Sequence, residues 1–196
     1  MDEFKLSEVK KQSGWWANKF GAQIGLKYVN ALGIDHLDLQ LEYNAVRPYT
    51  YAHRDTLSNL GYSVANYSHA NQPLAHPLGA NFREMLLIAR YKPIDRLYIH
   101  TKALFTTYGE DRPGENWGGN ILLPLETIEQ PFGNVIGQGV KTAVMALNVD
   151  ISYEVFHNYF LDFQGMWRQT KTTQTVDQHY LGGGLRINLA NINYDY

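Results

Sequence analysis

The chain has 196 residues, 44% hydrophobic and 18% charged, a balance that supplies a core for one domain and excludes disorder by composition. Its formal net charge of -2 leaves no basic field for a phosphate backbone, so bulk electrostatics argue against a nucleic-acid partner. The absence of cysteine excludes disulfide frameworks, thiolate metal sites and cysteine nucleophiles, and apolar runs such as Met85 to Ala89 are far shorter than the roughly 18 to 20 residues of a membrane-spanning helix.

Aromatic residues make up 13% of the chain, and its 14 tyrosines and 17 glycines suit a β-rich protein with aromatic side chains at boundaries between apolar and wet surroundings. A mean hydropathy of -0.35 leaves a membrane β-barrel open, because such a barrel carries its apolar surface in every second residue. Period-two alternation is therefore the signal to follow.

In chain order, a short first strand is predicted from Glu3 to about Val9. The next sets Phe20, Ala22, Ile24, Leu26 and Tyr28 against Lys19, Gln23 and Lys27; the third sets Leu37, Leu39, Leu41, Tyr43 and Ala45 against His36, Asp38, Gln40, Glu42 and Asn44. Weaker alternation follows over Phe82 to Tyr91, Leu97 to Tyr108 and Val140 to Tyr153. A strand from Tyr159 to about Arg168 comes next, and a last one spans Leu181 to Leu189, with Gly182, Gly183 and Gly184 inside it. Ile192, Tyr194 and Tyr196 continue the alternation to the final residue, in the manner by which barrel assembly machinery recognises a last strand. The fold class expected is all-β, an antiparallel transmembrane β-barrel of about eight meandering strands in one segment over residues 1–196. Strand lengths of about 9 to 13 residues exceed those of soluble sheets and match a tilted bilayer crossing.

The connections alternate in length. Tight turns at Ala31 to Ile34 and Lys92 to Asp95 contrast with long polar, aromatic stretches over 47–80 and 109–134, which hold all but one of the 7 prolines. With short turns on one side of a membrane and long loops on the other, the long loops are of the extracellular type.

The runs LEYNAVRPYTYAHRD (Leu41 to Asp55) and NQPLAHPLGANFREMLLIARYKP (Asn71 to Pro93) resemble the C-terminal part of Bacteroidetes outer-membrane proteins of the Wzi-like capsule assembly and RemB-like gliding motility family. The upstream segment from Asp2 to Tyr28 fits the same pattern, and the resemblance is strongest between Gly14 and Pro93. It implies a non-enzymatic outer-membrane protein, a larger barrel with a secretory signal peptide, and a role in cell-surface polysaccharide attachment or motility. The opening residues show no basic stretch followed by an apolar one, so the chain is expected to be a fragment of such a barrel, a complete eight-stranded barrel being the alternative.

Candidate sites follow from the residue types. In the first long loop Tyr49, Tyr51, His53, Arg54, Asp55, His69, Asn71 and Gln72 combine ring faces that stack on sugars with polar groups that reach hydroxyls, an expected glycan-contacting surface. On the polar strand faces Lys27, Asp38, Glu42, Glu84, Arg90, His100, Lys102, Asp162, Arg168 and Arg186 mix both signs, which suits a lumen where charges pair across strands. The spacing of His53, Asp55, His69 and His76 matches no compact chelate, so neither a metal nor another cofactor is expected. No nucleophile motif occurs, and Asp38 and Glu42 stand about 13 Å apart on one strand, although a dyad across strands such as Glu84 with His100 stays open. The expected partners are outer-membrane lipid, surface polysaccharide and, through the strand ending at Tyr196, the assembly machinery. Two other classes compete: a soluble eight-stranded ligand carrier with its apolar parity inward, and a surface glycan-processing enzyme.

Overall fold

The computed structural model describes residues 4–53 and 65–188. A short helix, α1 (Leu6–Lys10), precedes β1 (Gly21–Tyr28) and β2 (Leu37–Val46); a two-residue-per-strand hairpin, β3 (Ser68–His69) and β4 (Gln72–Pro73), follows; then come β5 (Phe82–Ile94), β6 (Leu97–Glu110), β7 (Val140–Phe156), β8 (Tyr159–Lys171) and β9 (Thr175–Ile187). Seven strands form one antiparallel sheet in the order β1-β2-β5-β6-β7-β8-β9, a meander apart from the inserted hairpin. The all-β antiparallel architecture is as expected; the described strands form an open sheet and not a closed barrel.

One predicted strand is absent. Of the residues expected as a first strand from Glu3 to Val9, those from Leu6 onward carry α1, and the described sheet has seven strands where about eight were expected. Alternation alone does not make a strand when no neighbour offers a ladder. Here the polar groups of the Lys5 backbone are taken by one side chain: its N–H donates to Asn18 Oδ1 at 2.7 Å, and its carbonyl accepts from Asn18 Nδ2 at 3.2 Å. Phe4 meets the ring of Phe20 edge-on, with 6.3 Å between centroids.

Register follows the alternation throughout. One face carries rows such as Leu26, Leu41, Leu87, Ala103, Leu147, Trp167 and His179 in direct cross-strand succession; the other carries Gln40, Ile88, Lys102, Asn148 and Met166. Irregularities fall only near the short-turn end, between Tyr91 and Ile94 and between Glu154 and Phe156. Gly182, Gly183 and Gly184 pair in unbroken register with Gln164, Phe163 and Asp162, so they thin the wall without bulging it.

The two ends of the sheet differ. Short connections close one end, around residues 29–36, 95–96 and 157–158, and the described parts of the long segments, 47–53, 65–81 and 111–139, gather at the other, with one further tight turn at 172–174. The long segments fold into a cap joined by residues 13–18: Gly133 N–H donates to Ser13 O at 2.8 Å, Asn134 N–H to Gly14 O at 2.9 Å and Trp16 N–H to Pro131 O at 3.0 Å. Gly14, at φ 65, is required there, because an added Cβ would sit 2.5 Å from Asn134 N.

The buried core lies in the cap and under it. Val46 and Phe82, at the cap ends of β2 and β5, cluster with Ala80 and Ile121 from the loops, and Tyr51, Leu78, Tyr108 and Leu122 pack around them. A second cluster joins Tyr49, Ala52 and Leu125 with Trp16 and Ile128. Along the apolar face the sheet is bare: Ile24 is 65% exposed, Leu26 67%, Leu161 51% and Leu185 72%.

Candidate functional site

The cap is held by buried amides. Asn81, fully buried and at φ 61, donates through Nδ2 to Gly109 O and Gln138 O at 3.2 and 3.0 Å, and its Oδ1 accepts from Gly137 N–H at 2.7 Å. Gln138 donates to Trp117 O and Asn134 Oδ1 at 2.7 and 2.9 Å; Asn116 donates to Pro124 O at 3.1 Å and Thr127 Oγ1 at 2.9 Å. Buried loop backbone demands such partners, and amides supply donor and acceptor from one side chain. The Asp111 carboxylate accepts from the N–H groups of Trp117 and Asn120 at 2.6 and 3.1 Å, and burial pushes it above the usual carboxylate range. Burial likewise lowers the Arg47 guanidinium, which spans the cap by donating to Trp15 O and Asn134 O, both at 3.4 Å.

The residues expected to contact glycan separate into two groups. Tyr49 is 1% exposed, its ring packed in the second cluster and its hydroxyl donating to Asn116 O at 2.8 Å, with burial pushing its pKa up to about 12. It is a core residue, not a contact: sequence marks tyrosine as stackable but does not show which tyrosine the cap folds around. Tyr51 is half-buried, its ring tilted by 35° against Tyr67 with 5.9 Å between centroids. His53 is half-buried and its N–H donates to Asn66 Oδ1. His69, Asn71 and Gln72 are exposed on the β3–β4 hairpin, whose turn places Ala70 and Asn71 at φ 48 and 59 as a primed turn requires. Arg54 and Asp55 lie outside the described residues. Tyr67, one of the tyrosines of the same loop, and Leu74, 53% and 56% exposed, border the same hairpin, joined by Leu74 N–H donating to Tyr67 O at 3.2 Å. The hairpin thus offers one amphipathic edge: a tyrosine ring and a leucine beside His69, Asn71 and Gln72.

All the residues expected to line a lumen lie on the polar face. Opposite charges pair across strands at Lys27–Asp38 (3.5 Å) and Asp162–Arg186, the latter with two bonds at 2.7 and 3.2 Å, and His100 Nδ1 lies 3.6 Å from Asp150 Oδ2. Arg90 donates to Gln40 Oε1 at 3.4 Å. Lys102 stands opposite Ile88 and Asn148, and Arg168 opposite Ala146 and Gln178. Glu84 does not meet His100, which is opposite Arg90 six residues along the strand. Its partner is His76 of the cap, whose Nε2 lies 3.4 Å from Glu84 Oε1 and whose ring stacks on Phe82 at 4.3 Å. Leu78 N–H donates to His76 Nδ1 at 3.2 Å, which leaves the ring proton on Nε2 facing the carboxylate.

Glu42 and Glu84 also share Asn44, whose Nδ2 is 2.9 and 3.4 Å from one oxygen of each. The two carboxylates are therefore close enough for a glycosidase pair, but their oxygens are engaged by Gln23, Asn44, Thr106 and His76. This is a hydrogen-bonded seam between cap and sheet. Among the described residues no group of three or more His, Asp or Glu side chains converges as a metal site; His69 is exposed at the hairpin while His76 faces Glu84. No family model matches the chain, and searches of curated proteins and of solved structures likewise find no match.

Proposed function

We propose that the chain is a non-enzymatic, membrane-embedded β-barrel wall of the outer membrane, its apolar parity turned to lipid, its polar parity to the lumen and its cap outside. On this reading it takes part in attachment of cell-surface polysaccharide, as the resemblance to capsule assembly and gliding proteins implies, with the β3–β4 hairpin and its neighbours Tyr51 and Tyr67 as the glycan-contacting edge. One observation carries the membrane part. The cap packs against the polar face, burying Val46, Phe82, Thr106, Thr142 and Val144, while nothing among the described residues lies over the continuous apolar face. A soluble carrier would place its apolar parity against its core.

Dimensions agree with that reading. Met145 to Tyr153 on β7 is about 26 Å along the strand, or about 20 Å along the normal of a barrel wall tilted by roughly 40°, near the apolar band of outer-membrane barrels. Tyr28, Tyr91, Tyr153 and Tyr159 edge the face at the short-turn end and Tyr43, Phe105 and Trp167 near the cap, as aromatic girdles do.

The test is refolding with and without detergent, followed by electrophoresis of unheated and boiled samples and by circular dichroism. A heat-modifiable β-structured species in detergent alone is expected; a monodisperse monomer in plain buffer would overturn the membrane reading. For the glycan edge, Tyr67→Ala should lower retention on surface polysaccharide about tenfold with heat-modifiability unchanged, and equal retention of both proteins would remove the hairpin from the reading.

A further inference from the structure

Along the regular part of the described strands, the apolar face is charged only toward the cap. Away from the bulged short-turn end, its Lys, Arg, Asp and Glu residues are Arg83 on β5, Lys141 on β7, Lys171 on β8 and Asp177 on β9, all near the cap. Arg83, Thr107, Ala143 and Lys171 form one cross-strand row, and Lys141 stands one row further out, opposite Gly109. The backbones of Arg83 and Lys171 are separated by about 14 Å, the width of three strand spacings. Arg83, Lys141 and Lys171 are exposed, and among the described residues none has a carboxylate partner; Asp177 accepts from Gln169 Nε2 at 3.0 Å. Next inward comes the row Tyr43, Met85, Phe105 and Met145, and then Leu41, Leu87, Ala103 and Leu147. The opposite rim of the same face carries Tyr91, Ile99, Ile151 and Leu185.

We propose that Arg83, Lys141 and Lys171 form a docking rim for the phosphate-bearing headgroups of anionic lipid in the leaflet on the cap side. The inference rests on the membrane reading above. Cations and aromatic rings at the margin of an apolar band sit at headgroup depth, where long side chains extend toward the phosphates and keep their stems on hydrocarbon. The guanidinium of Arg83 matches two phosphate oxygens, and the lysines add point charges to either side. Charge complementarity selects an anion, and continuity with the apolar rows selects a lipid: a headgroup on the rim lays its acyl chains over Met85, Leu87, Met145 and Leu147. The polar face does not share this pattern, since it mixes both signs, with Lys27 paired to Asp38 and Arg186 to Asp162.

The experiment uses the full chain in phosphatidylcholine nanodiscs with and without phosphatidylglycerol, counting retained lipids by native mass spectrometry. Wild type should retain phosphatidylglycerol over phosphatidylcholine on the order of tenfold, a preference that declines with salt. The triple variant R83Q/K141Q/K171Q should insert, remain heat-modifiable and lose the preference. The cap variant K10Q/K11Q/R112Q, with the same change in net charge, should keep it. Equal preference in wild type and the rim variant, both inserted, overturns the rim and leaves the membrane reading intact. Equal loss in the cap variant also overturns it, because net charge then suffices. Failure of wild type itself to insert overturns the membrane reading, and the rim falls with it.

Discussion

The cap and the sheet of this chain solve the burial problem in opposite ways. In the cap, irregular backbone is closed off by Asn81, Asn116, Asn134 and Gln138, all buried and all hydrogen-bonded to loop carbonyls or amides. In the sheet, the ladder satisfies the backbone of the inner strands, yet Ile24, Leu87, Leu147 and Leu161 stay 40% exposed or more. A globular protein normally does the reverse, with the apolar core between regular elements and the loops in water. The difference teaches that the cap closes its irregular backbone with a polar network around its two buried clusters, whereas the sheet leaves one apolar face uncovered by the described residues, the feature on which the proposed membrane reading rests. At about 25 cal/mol per Å², apolar surface left bare on this scale is a large unclaimed stabilisation.

The sharpest way to break the comparison is in the cap. Asn81→Ala removes three hydrogen bonds and leaves Gly109 O, Gln138 O and Gly137 N–H buried without their partner. The expected loss is about 4 kcal/mol, built from the penalties of unsatisfied buried groups. Limited proteolysis should then cut within 111–139 while the strands remain heat-modifiable; uncut loops would show that the network is not what holds the cap. Next in size is the sheet. Leu87→Arg places a charge mid-row between Leu41 and Ala103, with an expected cost of about 3 kcal/mol for folding into lipid vesicles, measured by urea titration. In a water-facing sheet the same change would be close to neutral, so an unchanged midpoint would remove lipid from the account.

The sheet was far more legible in the sequence than the cap. Period two is a local property, and Phe20 to Tyr28 or Leu37 to Ala45 reveal both strand and face without knowledge of any neighbour. Where a neighbour decides, the same signal misleads: residues 3–9 alternate, but Asn18 occupies the Lys5 backbone and the chain coils into α1. In the loops the decisive facts are long-range. Tyr49 and Tyr67 are alike in sequence; one is enclosed by Ala52 and Leu125, the other borders an exposed hairpin. Asn81 carried a weak signal, standing between Ala80 and Phe82 at the entry to a strand, where a left-handed residue often turns the chain. Nothing local marks its bonds to residues 28 and 57 positions away. His76 with Glu84 follows the same rule, for a loop histidine and a strand glutamate become partners only once the cap folds over the polar face.

The mildest expected effect tests whether the cap is held as a unit by its buried hydroxyl. Tyr49→Phe keeps the ring in its cluster and removes only the donation to Asn116 O, so a loss of about 1 kcal/mol is expected from urea unfolding of the cap. The variant also carries a pH signature with a definite sign. Burial raises the Tyr49 hydroxyl from its ordinary value of 10.0 to about 12, so the folded cap favours the neutral phenol more than the unfolded chain does. The contribution is therefore complete below pH 10.0 and fades as the pH climbs through about 12, because ionisation then favours the opened cap. Tyrosinate absorbance should show one fewer late-titrating phenol in Tyr49→Phe than in wild type, and cap protection against protease should fall over the same interval in wild type more steeply than in the variant. Parallel pH curves for the two proteins would mean that Tyr49 is enclosed without being a tie, leaving the amide network to hold the cap alone.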